Sequence, residues 1–465
     1  MRCLAAAYSS LAPRASSEKA KSECYTSRML GRFLLCSFLL ALGSSAARPQ
    51  APSGQVRELK RQARMAEMEG KWGEAIASYD EALRISPRDL AAEIGLAQAY
   101  RGVHNYDEAK RVLGRARTEY PQSAKPLAAL GDLDIELQTY DAAIAHLRAA
   151  LALAPSDIES RNRLAVAYQA KGDLDGALAQ IAKVLARDSK DALAYYTRAK
   201  IYSDRNQDVV ALPDAMKVVE LQPRSPRGRL LLGKILLRAP QGETATQTND
   251  RCRRAVATLE PLREIPAEDS ETLFLLSRAY ECAGDSEQAQ KTLAAFEVSS
   301  KNDRETKENQ TQAKHLVQQA NELALKNDYA GSLDLLQQAI VKDATYGAAY
   351  SQLAKLYYSA DDVDKASEAI SQALQRDPYQ PDFLYVQGKI FQKQGKPEEA
   401  LAAFERTTIV NPKESDAFFE MGAIYEQRGD KVRALAAYRK AAALSPDDPD
   451  YRRALAALSG RTARP

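Results

Sequence analysis

The sequence is poor in the residues that do chemistry. Histidine occurs three times, at His104, His146 and His315, and none is spaced from another histidine or a cysteine as a zinc site requires. There is no glycine-rich phosphate loop with its lysine, no dinucleotide fingerprint after a strand and no serine at a nucleophile elbow. No metal, no cofactor and no enzymatic activity are therefore expected. Aromatics are 7% of the 465 residues, and no long stretch alternates as a half-buried strand would. A sheet is not expected; alanine and leucine dominate, which favours helix throughout. Neither sign of charge prevails: 65 basic against 62 acidic residues give +3, so nucleic acid and anionic membrane surfaces are not expected as partners. With 27% charged and 45% hydrophobic residues the chain has the balance of a folded protein.

Long apolar runs are also missing, with one short exception. Residues 29–48 read MLGRFLLCSFLLALGSSAAR, a methionine and an arginine, an apolar run from Phe33 to Leu42, then small residues. This is the pattern of a secretory signal, with cleavage expected after Ala46 or Ala47. The run is well short of the about 20 residues that span a bilayer, which leaves a membrane tether through an uncleaved 29–47 as the alternative. Leu34 and Leu35 before Cys36 do not suit a lipid-attachment site. Residues 1–28 precede a complete signal, so that Met29 is expected as the start or 1–28 as a disordered upstream extension, and the mature chain is expected to be periplasmic or extracellular.

From Val56 onward one pattern recurs every 34 residues. Ala75, Ala109, Ala143, Ala177 and Ala211 stand one period apart, as do Pro87, Pro121 and Pro155; Leu96, Leu130 and Leu164 and the set Trp72, Tyr106 and Tyr140 fill the places between. Small residues where two amphipathic helices must approach, bulky ones beside them and proline to stop the second helix describe a repeated helix-turn-helix. This resembles the tetratricopeptide repeat family over nearly all of residues 56–448. The resemblance implies an all-α, right-handed superhelical solenoid of about eleven units, starting near 56, 90, 124, 158, 192, 226, 270, 313, 347, 381 and 415.

The expected organisation is a linker at 48–55, units one to seven at 56–298, a polar connector at 299–312, units eight to eleven at 313–448, and a cap helix at 449–460. Two stretches break the period. Residues 239–250, APQGETATQTND, are expected to lengthen the turn inside unit six, so that Cys252 begins the second helix of that unit. The connector is either a hinge or a longer helix, and its lack of Pro and Gly favours the helix. Cys252 and Cys282 fall on neighbouring helix ends in the repeat geometry; they form either a disulfide clamping the inserted loop or two buried free thiols.

In the tetratricopeptide family the first helix of each unit lines the concave surface, chiefly through its second, fifth, ninth and twelfth positions. The resemblance thus places Lys200, Lys234, Arg278, Lys355 and Lys389 in a groove, with Tyr196, Phe274, Tyr385 and Phe419 beside them and Tyr358 from the twelfth column. Such a groove would offer cations and flat apolar faces to extended, acidic or C-terminal peptide segments of other proteins. The alternative is that the lysines are solvated and the aromatics pack on adjacent units. The expected function is a non-enzymatic protein-interaction scaffold or adaptor. Two alternatives are a targeting subunit of a separate envelope enzyme or of a polysaccharide or secretion machine, and a self-associating structural protein.

Overall fold

The computed structural model describes residues 52–238, 243–264 and 270–462. The upstream extension, the signal segment, residues 48–51 of the linker and 239–242 of the insertion lie outside these residues; 52–55, expected as linker, instead form the first turn of the first helix. Helix pairs follow one another through the described chain. Units one to three are α1 (Pro52–Met68) with α2 (Trp72–Ile85), α3 (Leu90–Gly102) with α4 (Tyr106–Glu119), and α5 (Ala124–Glu136) with α6 (Tyr140–Leu153). Units four to six are α7 (Ile158–Lys171) with α8 (Leu174–Arg187), α9 (Ala192–Asp204) with α10 (Asp208–Leu221), and α11 (Pro226–Leu237) with α12 (Ala245–Leu259). Next come α13 (Ser270–Cys282), the long α14 (Ser286–Leu325) and α15 (Tyr329–Lys342). The last units are α16 (Gly347–Ser359) with α17 (Val363–Arg376), α18 (Pro381–Lys393) with α19 (Pro397–Val410), and α20 (Ser415–Gln427) with α21 (Lys431–Leu444), followed by α22 (Pro449–Thr462). No strand occurs among the described residues, and the fold is an all-α repeat solenoid.

The helices begin where side chains can satisfy their first amides. Asp89, Ser123, Asp157, Asp191 and Ser225, one period apart, each accept a hydrogen bond from an amide in the first turn of α3, α5, α7, α9 and α11. Inside each unit the turn needs one left-handed residue. His104, Gln138, Asn206, Asn327 and Asp361 take that conformation along with several glycines, always at the same place in the unit. Neighbouring helices pack small residues against large ones. A side chain at Gly388 of α18 would meet the ring of Phe404 of α19 at 2.5 Å, and Phe404 is fully buried there. At the C-terminal end α22 covers the last apolar face with Tyr451 and Leu458, both buried against unit eleven.

Of the two irregular stretches, the connector is helical, the reading that its lack of Pro and Gly favours, whereas the insertion of unit six departs from the expected loop. Residues 286–325 form one helix of 40 residues, so α14 is both the second helix of unit seven and the first of unit eight. Its middle, 301–308, is exposed all round. In unit six the insertion is not all turn: α12 starts at Ala245, seven residues before Cys252, so Cys252 lies inside the helix and does not begin it. The reason is a capping box. The Thr244 side chain accepts from the Gln247 amide, and the Gln247 side chain accepts from the Thr244 amide at 2.9 Å. Arg251, buried, then ties the added turns down by donating to the Leu236 carbonyl of α11 and to Glu243 at 2.9 Å. Beyond α12 the chain tightens into a 3₁₀ turn, Glu260–Glu264.

Candidate peptide groove

Four of the groove residues expected from the sequence meet in one cleft. Lys355 and Tyr358 from α16, and Tyr385 and Lys389 from α18, line a cleft of about 440 Å³ with Ser359, Val386, Asp382, Glu414 and Asp416. First helices of three consecutive units supply its walls, because the 34-residue period returns the same helix face to the same side. The other expected residues lie elsewhere along the stack: Tyr196 is half-buried against the unit-six core. Phe274 is 40% exposed, with Phe296 at 5.3 Å between ring centroids and the Arg278 guanidinium 5.8 Å above it. Phe419 packs on Tyr438 and Tyr451, and so serves the junction with the cap helix.

The expected cations are mostly neutralised. Lys200 pairs with Asp204 at 2.8 Å, Lys234 with Glu271 at 2.6 Å and Lys389 with Glu420 at 2.6 Å. Lys355 has no carboxylate within 4.0 Å among the described residues. The cleft at units nine to eleven is thus of mixed sign. Burial, followed by the charges of Asp416 and Asp382, pushes the Glu414 carboxyl above the usual carboxylate range. Burial also raises the Tyr385 phenol, reinforced by Glu420 and Asp416, so this hydroxyl stays protonated as a donor at the cleft.

One of these pairings recurs elsewhere in the stack. Lys389 at the ninth position of unit ten meets Glu420 at the sixth position of unit eleven, and Asp132 at the ninth of unit three meets Arg163 at the sixth of unit four, at 2.6 Å. Complementary charges 31 residues apart were the sequence signal that would have found these pairs. A second cleft, outside the expected groove of units five to ten, lies in units one to three, where Arg64 and Gln98 hold the ninth position. Arg64, Arg88 and Lys125 line about 550 Å³ with Glu67, Tyr79, Ile94 and Gln98, and none of the three cations has a carboxylate within 4.0 Å among the described residues. Lys125 holds the second position of unit three, one of the columns that the resemblance had marked.

Carboxylates on a helical repeat are expected to be solvated, and three are not. Glu93 is buried beside Arg115 at 2.9 Å, Asp214 is held by both arms of Arg198, and Asp134 accepts from Thr139 and faces the His146 ring nitrogen at 2.8 Å. Each joins helices within the stack, and none opens on a cleft described above. Among the described residues no cluster of His, Cys, Asp and Glu is arranged to hold a metal ion. Cys252 and Cys282 sit side by side, joined through their sulfurs, with Cα atoms 5.6 Å apart. The bridge links the middle of α12 to the last residue of α13.

Comparison with known proteins places this architecture. Tetratricopeptide repeat profiles match residues 66–133, 134–201 and 323–390, and a related one of the same description matches 385–449. Two curated relatives are both described as DnaJ homolog subfamily C member 3. The Rattus norvegicus protein is 33% identical over 95 residues, 20% of this chain and 18% of its own length; the Bos taurus protein is 34% identical over 83 residues, 18% and 16%. The chain thus spans less than a fifth of the length of these relatives. Among solved structures, the crystal structure of APC/C hetero-tetramer Cut9-Hcn1 aligns over 87% of this chain and 97% of that one, at 12% identity and a TM-score of 0.30, which is too low to carry weight. The repeat profiles together cover more than half of the chain: it belongs to the tetratricopeptide repeat family, whose repeats build protein-protein interaction scaffolds.

Proposed function

We propose that the protein is an exported, non-enzymatic scaffold that binds extended peptide segments of other proteins along its concave face. The observation that carries this reading is the cleft of units nine to eleven, where Tyr358, Tyr385 and Val386 supply apolar surface beside Lys355, which has no carboxylate within 4.0 Å among the described residues. An extended segment with an apolar residue on that surface and a carboxylate for Lys355 fits it. The acidic part of such a segment is better matched by Arg64, Arg88 and Lys125 than by Lys200, Lys234 and Lys389, which have carboxylates of their own. Export is supported by the signal pattern at 29–47 and by the Cys252–Cys282 bridge, since disulfides persist in oxidising compartments.

Peptide display against the full chain tests the groove. Selected peptides should lose about tenfold or more in affinity for Tyr385→Ala and for Lys355→Glu, as expected of a central anchor and a charge partner. Equal binding to wild type and both variants rules out this cleft. For export, the protein recovered from its host should begin at Ala47 or Arg48 by mass spectrometry; an intact 29–47 segment on recovered protein argues for the tethered form. A second reading, self-association, is favoured by Val209, Val210 and Met216, all exposed on α10. Light scattering that finds only monomer removes it.

A further inference from the structure

We propose that units one and two and the turns that flank unit ten form a releasable latch that closes the stack on itself. The hydroxyl of Tyr379, in the turn between α17 and α18, donates to the Gly70 carbonyl at 2.6 Å and accepts from the Trp72 amide at 2.8 Å, 307 residues away in sequence. One unit further along on each side, the Asn105 side-chain amide donates to the Ile409 carbonyl at 2.9 Å. Tyr379, Ile409 and Val410 also pack against the apolar core of the first units. At the rim Lys413 pairs with Asp107 at 2.8 Å, with both side chains exposed.

The bonded groups are the ones that helix ends leave without partners. Trp72 is the first residue of α2, so its amide has no acceptor within the helix, and Lys71 before it offers no side-chain cap. The Ile409 carbonyl belongs to the last turn of α19 and likewise has no partner further along that helix. Asn105 serves twice: its side-chain oxygen caps the Glu108 amide at 3.2 Å, which leaves its amide nitrogen free to reach across. Contact with the far units buries Asn105 to 6% exposure, which a turn residue of a simple stack would not show. Consecutive units, by contrast, share whole helix faces. A joint made only of turns and helix ends is the weakest in the molecule, so it opens while the stack stays folded. This device stands whether or not the groove takes peptide.

Hydrogen exchange of single amides and small-angle X-ray scattering test it on the full chain. The wild type supplies its own control, because Tyr140 is also the first residue of its helix and its neighbour Thr139 makes no cap bond. In the latched protein the Trp72 amide should exchange about tenfold or more slowly than that of Tyr140, as befits one added hydrogen bond. Tyr379→Phe removes only the hydroxyl and should erase that difference. Asn105→Asp keeps the cap oxygen and removes the donor; combined with Tyr379→Phe it should raise the radius of gyration while circular dichroism is unchanged. Equal exchange at Trp72 and Tyr140 in the wild type overturns the latch. So does a double variant that stays folded with wild-type scattering and wild-type Trp72 exchange.

Discussion

Units two to five and the stretch from unit six to unit eight obey different rules. In the first, every helix start repeats at 34 residues, and the caps Asp89, Ser123, Asp157 and Asp191 fall in step with it. In the second, the register is lost twice, once at the insertion before α12 and once where α14 runs on for 40 residues. The core survives both breaks: Leu259 and Leu276 of the irregular stretch are as buried as Leu113 and Leu147 of the regular one. Packing therefore fixes which faces meet, while local capping and helix propensity decide how long each helix is. Where the sequence keeps the period the two agree, and where it does not, the local signals win.

Substitutions in each region sharpen that contrast. The largest effect is expected from Phe404→Ala in unit ten, where the 34-residue period holds again, about 3–5 kcal/mol by chemical denaturation, because a fully buried ring is removed from a close-packed site. In the irregular stretch, Cys252→Ala with Cys282→Ala should cost about 3 kcal/mol, since a bridge over 30 residues is lost. A thiol assay on the unreduced, unfolded wild type should find neither of these cysteines free.

A third prediction uses pH. Burial raises the Asp132 carboxyl to about 6 against the opposing pull of Arg163. A carboxyl whose folded pKa exceeds its unfolded one gives stability below about pH 4 and loses it as the pH climbs through 6. The wild type should thus lose ground to Asp132→Asn over that interval, by up to about 2 kcal/mol. A flat difference from pH 4 to 7 would show that Arg163 compensates the charge fully.

Smaller effects probe the turns and caps. Thr244→Ala should cost about 1 kcal/mol and loosen the first turns of α12 in hydrogen exchange, whereas an unchanged α12 would mean that Arg251 alone holds them. Gln138→Gly should stabilise by about 0.5–1 kcal/mol, because the turn of unit three holds a side chain at φ 59°.

Residue patterns show why part of this was legible. Alanine at 75, 109, 143, 177 and 211 and proline at 87, 121 and 155 are demanded by close helix approach and helix ending, so composition and spacing reveal both the unit and its length. The left-handed turn residue is as regular in space, yet His104, Gln138, Asn206 and Asp361 share no chemistry that a sequence reading would group. The T-x-x-Q of Thr244 and Gln247 is a helix-start signal that sits within a stretch otherwise rich in loop formers. In the groove, Tyr358, Tyr385, Lys355 and Lys389 followed from their columns. Their charge balance did not, because Glu420 neutralises Lys389 from the next unit. The bonds of Tyr379 and Asn105 across some 300 residues depend on the accumulated twist of the whole stack, which no local pattern records.

The proposed site for another protein's chain is the cleft of units nine to eleven. Cross-linking mass spectrometry with a display-selected peptide carrying a photoreactive group tests it most directly. Adducts are expected on α16, α18 and α20, concentrated at Tyr358, Tyr385 and Lys389 and abolished by competing unlabelled peptide. Adducts concentrated instead on the exposed Val209, Val210 and Met216 of α10, or along the middle of α14, would contradict it.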